Sequence, residues 1–325
     1  MTMIALRYDL RIPPFAGHTH ADAYAACLEQ CAWAEEHNAA DMVVLSEHHG
    51  VDDGFMSAPI TLAAAVAGRT RRLRITIAAV LLPLHDPVRI AEQIAVVDLV
   101  SPGRLSMVAG LGYRQEEFDM AGVDRTTRGK LLDEYVDVLR KAWSGEPFEW
   151  RGRTIRVMPK PESPPMILIG GSTPISARRA ARLRCGFSPA IGDQKLIEVY
   201  DAECAKHGFT GFSNLPGGPG FVHVSEDPER DWQVIGRHAL FDAQSYHAWQ
   251  TPDQRSQVHT AAQTLDEIKQ SGVYRVVTPD ECVELAQSVG TLVLHPLMGG
   301  MPPALGQQSL ELFAAKVLPR LRPAG

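Results

Sequence analysis

Short apolar segments alternate with longer segments of helical periodicity along almost the whole chain. This alternation constrains the fold more than any other feature, because strands that alternate with helices form parallel sheets. We interpret eight apolar segments as strands, at residues 3–8, 41–45, 73–82, 104–109, 166–169, 186–189, 220–224 and 291–295. Eight such units predict an α/β fold, the (β/α)8 TIM barrel with insertions.

The chain length also suits this fold. The 325 residues, of which 45% are hydrophobic, match one barrel of roughly 250 residues with insertions, or two smaller domains. We expect a single barrel domain over residues 1–325. Residues 148–157 predict a hairpin, and residues 310–318 predict a last amphipathic helix. Residues 246–273 are polar and poorly periodic, which predicts an insertion or lid between the seventh and eighth units.

Composition excludes several classes of function and location. The net charge of −6 gives no electrostatic case for binding nucleic acid or an anionic membrane. The five cysteines form no Cys-x-x-Cys pair, which indicates free thiols in a reducing compartment. The first residues lack the pattern of a signal peptide, and no apolar run approaches the ~18 residues of a membrane span. We therefore expect a cytoplasmic protein.

A polar run, Glu47-His48-His49, follows the second predicted strand. In a parallel α/β protein the carboxyl ends of the strands point towards the ligand site. A carboxylate beside two imidazoles is a candidate for proton transfer, anion binding or metal ligation. The alternative is that these side chains only form hydrogen bonds within a loop.

Small residues mark the ends of three further strands. Ala78-Ala79 and Gly110-Leu111-Gly112 leave room for a backbone to approach a flat ring, or they belong to a crowded interior and a plain turn. Gly170-Gly171-Ser172-Thr173 precedes a helix with Pro174 in its first turn. Backbone N–H groups and hydroxyls at such a helix N-terminus suit a phosphate, whereas the alternative is an ordinary Ser/Thr cap.

These motifs, taken in order, resemble the bacterial-luciferase-like flavin-dependent oxidoreductase family. The resemblance rests on the segments at residues 46–49, 78–83, 87–93, 101–105, 110–113, 116–118, 169–172, 309–313 and 317–319. It is weakest over residues 216–277. It implies a (β/α)8 barrel that binds a reduced flavin, or the deazaflavin coenzyme F420, at its carboxyl-terminal face.

The resemblance also implies roles for individual residues. It places His48 beside the reactive edge of the flavin as the catalytic acid or base, with His49 structural. Glu47 and Tyr113 are expected in the substrate pocket, Glu47 as the group that orients His48, and Glu117 is expected to help shape the pocket. The cofactor-binding residues are Ala78, Ala79, Gly110, Gly112, Gly170, Gly171, Ser172 and Thr173, with a cis peptide bond at Ala78-Ala79.

The resulting functional hypothesis is a monooxygenase that uses reduced FMN and molecular oxygen on a small organic substrate. Reduced flavin would come from a separate NAD(P)H:flavin reductase, since no Rossmann unit is visible, and a homodimer is expected. One alternative is F420-dependent hydride transfer, and another is a relative that binds flavin without catalysis.

A metal-dependent barrel hydrolase is the alternative from a different class. His18-Thr19-His20 follows the first strand, where such hydrolases place two metal ligands. The later strand ends at Gly110-Leu111-Gly112 and Gly170-Gly171-Ser172 offer no imidazole or carboxylate to complete that site. We therefore expect no catalytic metal.

Overall fold

The computed structural model describes residues 2–250 and 256–322. The chain divides into two compact units. The first comprises Met1–Val44, Val51–Met56 and Pro216–Gly325, and the second comprises Leu45–Gly50 and Ser57–Leu215.

The strands are β1 Met3–Tyr8, β2 Met42–Leu45, β3 Arg74–Val80, β4 Leu105–Ala109, β5 Phe148–Trp150, β6 Arg153–Ile155, β7 Met166–Gly171, β8 Gly186–Pro189, β9 Phe221–Val224, β10 Tyr274–Val277 and β11 Thr291–Leu294. The helices are α1 His20–Glu36, α2 Pro59–Arg69, α3 Pro87–Val100, α4 Gln115–Ala121, α5 Arg128–Ser144, α6 Pro174–Arg182, α7 Gln194–Lys206, α8 Pro228–Trp249, α9 Leu265–Ser271, α10 Pro279–Ser288, α11 Pro303–Leu312 and α12 Leu318–Leu321.

In the first unit the strands neighbour one another in the order β10, β9, β11, β1 and β2. The pairs β10–β9, β9–β11 and β11–β1 are parallel, with Ile4 opposite Leu292 and Leu294 opposite Val222. A buried cluster joins this sheet to α8, and it includes Phe221, Trp232, Ile235, Ala239, Ile268, Tyr274 and Met298. Burial of these apolar side chains stabilises the packing of α8 on the sheet.

In the second unit four parallel strands lie in the order β3, β4, β7 and β8. Val80 of β3 lies opposite Ala109, which in turn lies opposite Ile169 of β7. The loops that follow these three strands therefore start side by side at one edge of the sheet. A separate antiparallel hairpin, β5–β6, turns at Arg151-Gly152 as the sequence predicts.

The α/β class and the eight predicted strands are confirmed, and three local predictions are wrong. Val277 ends a ninth parallel strand, β10, which the sequence analysis missed. In place of one helix at 310–318, α11 begins at Pro303, residues 313–317 form a π-helical turn, and the short α12 follows. The predicted strand at 73–82 stops at Val80, because residues 82–84 turn as a short 3-10 helix.

The segment predicted as an insertion or lid is only partly described. Tyr246 and Trp249 belong to the last turn of α8, and residues 265–271 form the short helix α9. Residues 251–255 lie outside the described residues. No helix within the described part of the chain is both long and apolar enough to cross a membrane.

Candidate active site

The candidate site lies in the second unit, where Ser46 to Gly50 follow the apolar strand β2. The loops after β3 and β4 lie beside this run and supply the groups that contact it. Helix α4 begins at Gln115 and carries Glu116 and Glu117 in its first turn, where carboxylates are favoured by the helix dipole. Glu116 points to solvent, and Glu117 is buried.

His48 is paired with the carboxylate of Glu117. Its Nδ1 lies 2.7 Å from Glu117 Oε1, which also accepts a hydrogen bond of 3.0 Å from the backbone N–H of His49. An ionised carboxylate can only accept, so His48 Nδ1 carries the hydrogen and Nε2 presents a lone pair in the neutral imidazole. The hydroxyl of Tyr113 lies 3.3 Å from Nε2. The geometry therefore favours the tautomer of His48 with its hydrogen on Nδ1, and it places the hydroxyl of Tyr113 beside Nε2.

Glu47 forms a second cluster beside this pair. Its Oε1 lies 2.7 Å from His49 Nε2 and 2.5 Å from His85 Nε2, and its Oε2 accepts from the backbone N–H of Leu81 at 2.8 Å. Burial alone would raise the pKa of Glu47, but hydrogen bonds from the two imidazoles lower that pKa to about 2. The bond to Glu47 in turn raises the pKa of His49.

The sequence predicted Glu47 as the group that orients His48. In the structure Glu117 holds His48 Nδ1, while Glu47 holds His49 and His85. The sequence analysis assigned Glu117 only to the pocket wall and did not single out His85. Glu117 could have been recognised as a carboxylate one helical turn after Tyr113. His85 could have been recognised as an imidazole just before the proline that starts α3.

Small residues surround the end of β3. The peptide bond between Ala78 and Ala79 is cis, as the resemblance implies. A Cβ added to Gly110 would lie 2.8 Å from the Cβ of Ala79, closer than side chains approach each other. Gly112 has a φ of +72°, and a Cβ there would lie 3.1 Å from the ring of Phe118. Neighbouring side chains thus occupy the space that a Cβ would need at Gly110 and Gly112, so only glycine lets the backbone pack this closely against Ala79 and Phe118.

The loop after β7 lies next to Gly110, because Ile169 pairs with Ala109. Gly171 has a φ of +148°, and an added Cβ would lie 2.5 Å from Ser176. Thr173 caps α6 in a capping box with Ser176, in which each hydroxyl accepts from the other residue's backbone N–H. The backbone N–H of Ser176 is therefore already bonded to the hydroxyl of Thr173, as in the Ser/Thr cap considered as the alternative to a phosphate site. Gly170 lies at the end of β7, where an added Cβ would lie 3.0 Å from Val108.

The histidine pair considered for a metal hydrolase lies in the first unit. His18 Nδ1 lies 3.2 Å from the carbonyl oxygen of Ala16, and His20 Nε2 lies 3.0 Å from that of Asp53. Within residues 2–250 and 256–322, one group of three side chains has donor atoms placed to hold a metal ion. That group is Glu47, His49 and His85.

Comparisons with known proteins agree with these features. The model of the luciferase-like monooxygenase family matches residues 11–292. Limonene 1,2-monooxygenase of Rhodococcus erythropolis is 26% identical over 85% of this chain and 76% of its own. F420-dependent glucose-6-phosphate dehydrogenase of Nakamurella multipartita is 28% identical over 92% of this chain and 96% of its own. Another curated relative is matched only locally, over 40% of its length.

A solved structure shows the same fold. The oxygenating constituent of 3,6-diketocamphane monooxygenase from Pseudomonas putida, in complex with FMN, superposes with a TM-score of 0.72 at 19% identity. The superposition covers 98% of each chain. The expected fold class is therefore confirmed for this chain.

Proposed function

Because this chain belongs to the luciferase-like monooxygenase family, we propose that it uses reduced FMN and molecular oxygen to oxygenate a small organic substrate. The observation that carries the proposal is the buried pair of His48 and Glu117, with Tyr113 beside the second imidazole nitrogen. This arrangement supplies an acid–base group of fixed orientation at the end of a strand, next to the small residues that fit a flat ring.

The reduced flavin, when bound, supplies the electrons that activate oxygen. Residues of the protein transfer the proton. Glu117 keeps the hydrogen of His48 on Nδ1, so Nε2 accepts a proton from the substrate or from Tyr113. The negative charge of Glu117 then stabilises the imidazolium that forms, as a carboxylate does behind a catalytic histidine. When the flavin is bound, Ala79 and Gly110 would line its ring, and Ala78, Gly112, Gly170, Gly171 and Thr173 would complete the proposed cradle.

We place the flavin phosphate at the loop of Gly171 and Ser172. The support is the glycine conformation at the start of α6, where no side chain fits. Replacing Gly171 would strain the backbone whatever its effect on the phosphate, so Ser172→Ala is the cleaner test. It should weaken binding of reduced FMN by about 1.5–3 kcal/mol, the range for a hydrogen bond to a charged group.

Riboflavin, which lacks the phosphate, is the matched control for this variant. Anaerobic fluorescence titrations of the parent protein and Ser172→Ala should give a difference for reduced FMN and none for reduced riboflavin. Equal losses for both flavins, or no loss for either, would place the phosphate elsewhere.

The choice between FMN and F420 decides the reaction class. Relatives and solved structures with FMN or F420 in their names support both cofactors. We propose FMN because the imidazole–carboxylate pair suits proton transfer during oxygen chemistry. Parallel titrations with reduced FMN and reduced F420 test this choice. A clear preference for F420 would replace the monooxygenase by hydride transfer.

The substrate class can be tested with the compounds named in the relatives. A panel that contains limonene and an alkanal should include a compound whose oxygenated product appears only with protein, reduced FMN and oxygen together. Prolonged treatment with a chelator should leave this activity intact, because the proposed reaction uses no metal. Loss of oxygenation that stoichiometric zinc restores would show instead that the reaction depends on a metal ion.

We propose a separate NAD(P)H:flavin reductase as the source of reduced FMN. We also propose a cytoplasmic location, which is supported by the five free and buried cysteines.

We also propose a homodimer. Val96, Leu99 and Val100 form one apolar stripe on α3 and are 51%, 43% and 48% exposed. Light scattering should give twice the chain mass, and Leu99→Glu should give monomers.

A further inference from the structure

We infer that Glu47, His49 and His85 form a binding site for a divalent transition-metal ion of the Zn²⁺ type. Each side chain offers one donor atom, and the three atoms lie within 4.8 Å of one another. One carboxylate with two imidazoles is a donor set that holds Zn²⁺ in proteins, with a fourth position left for water. This inference is independent of the proposed flavin chemistry, which does not use the ion.

The distances show how small a change the ion would require. Tetrahedral bonds of about 2.0–2.1 Å place neighbouring donor atoms about 3.3 Å apart. Glu47 Oε1 now lies 2.7 Å from His49 Nε2 and 2.5 Å from His85 Nε2. Each of these separations must open by roughly 0.6–0.8 Å to reach that spacing. Small side-chain rotations achieve this, and the ion then replaces the two N–H groups that now point at one oxygen.

The surroundings hold the ligands in place. The second carboxylate oxygen of Glu47 accepts the backbone N–H of Leu81, and the backbone N–H of His49 is held by Glu117. These outer contacts use none of the three donor atoms, so they can persist when the ion binds. Hydrogen bonds of this kind orient the residues that coordinate a metal ion and raise the affinity for it.

The cluster is also accessible. The side chain of Glu47 is fully buried, whereas those of His49 and His85 are 18% and 26% exposed. Their rings meet at 61°, with centroids 5.8 Å apart, and both Nε2 atoms face the same carboxylate oxygen of Glu47. The partly exposed imidazoles are therefore the ligands that an ion from solvent reaches first, and the buried carboxylate supplies the negative charge.

Co²⁺ is the probe, because it occupies zinc sites and gives visible absorption bands that depend on its ligands. The untagged full-length protein should bind one Co²⁺ with bands of a four- or five-coordinate ion. His85→Ala should weaken Co²⁺ binding by roughly 10–100-fold or more. Mutation of a residue that only hydrogen-bonds to a metal ligand already costs that much, and His85 would itself be a ligand. His207→Ala is the matched control, because His207 is an exposed histidine of the same unit whose Nε2 lies 3.7 Å from a carboxylate oxygen of Glu203. It should bind Co²⁺ as the parent does.

Two results would overturn the inference. One is a parent protein that gives no such bands, which leaves the cluster as a hydrogen-bonded network. The other is a His85→Ala variant that binds Co²⁺ as tightly as the parent, which assigns the ion to other side chains. If His85→Ala does not fold, X-ray absorption at the cobalt edge of the parent complex decides. Two imidazole ligands are expected, and fewer than two would contradict the site.

Discussion

Glu117 determines which nitrogen of His48 is available for chemistry. Glu117 is 1% exposed, and its carboxylate accepts from both His48 Nδ1 and the backbone N–H of His49. Replacing the charge while keeping the shape, as in Glu117→Gln, retains a hydrogen-bond acceptor but removes the group that stabilises an imidazolium. Glu117 thus acts as a positioning residue through His48.

We expect Glu117→Gln to lower kcat while KM changes little, because the carboxylate does not bind substrate. The loss should be smaller than the roughly 10²–10⁴-fold effect of removing a general acid–base group altogether. Steady-state kinetics with the best compound of the substrate panel give kcat and KM separately. Glu116→Gln, at the exposed neighbouring position, is the control and should behave as the parent. A raised KM at unchanged kcat would assign Glu117 to binding.

Gly110 has a packing role that a single methyl group can test. In Gly110→Ala the new Cβ would lie 2.8 Å from Ala79, so we expect a loss of about 1–3 kcal/mol in the free energy of unfolding, with weaker binding of reduced FMN. Gly68→Ala is the control, because nothing lies within 4 Å of a Cβ at that position in α2. It should stabilise the protein by about 0.5–1 kcal/mol. Denaturant unfolding compares the two, and an unchanged Gly110→Ala would show that the space is not needed.

At the scale of elements, Asp231 ties the first turn of α8 to β9. Its carboxylate lies 3.5 Å from His223 Nε2 and 2.9 Å from Arg230 Nε. The hydrogen bond from His223, followed by that from Arg230, holds the pKa of Asp231 well below its ordinary range despite its burial. A carboxylate with a lowered folded-state pKa stabilises the protein above its unfolded pKa, and this contribution is lost as the pH falls through the folded value.

Asp231→Asn should therefore lower the free energy of unfolding at neutral pH. The difference from the parent should shrink as the pH drops below about 4, where the carboxylate is protonated in the unfolded chain. Denaturant titrations at neutral and acidic pH measure this. Asp266→Asn, at an exposed position in the first turn of α9, is the control. A difference for Asp231→Asn that stays constant with pH would show that the ion pair is not its cause.

The elements also show where sequence reasoning succeeds. Strands such as β3 and β4 carry several buried apolar residues, among them Ile75, Ile77 and Met107, and are bounded by turns, so the sequence predicted them. Strand β10 could not, because its four residues include the exposed Arg275 and follow a polar segment. Helix α11 begins before the predicted start of the last helix because Pro303 fits the first turn of a helix. The periodicity of the apolar residues does not show this start.

At the scale of the whole molecule, the sequence predicted the α/β class, the family and the loops that carry the candidate site. It did not predict which carboxylate meets which imidazole. Residues 47, 85 and 117 are far apart in the chain, and their pairing depends on how three loops pack. Spacing along a sequence fixes neighbours within one element, whereas contacts between loops depend on tertiary structure.

The central claim is that His48 transfers a proton during oxygenation with reduced flavin. Single-turnover kinetics test it most directly: protein loaded anaerobically with reduced FMN is mixed with oxygen and the best compound of the panel. We expect His48→Ala to bind reduced FMN nearly as the parent does but to form product about 10²–10⁴-fold more slowly. His49→Ala should mainly lower stability. Product formation by His48→Ala at the parent rate, with reduced FMN bound normally, would contradict the account.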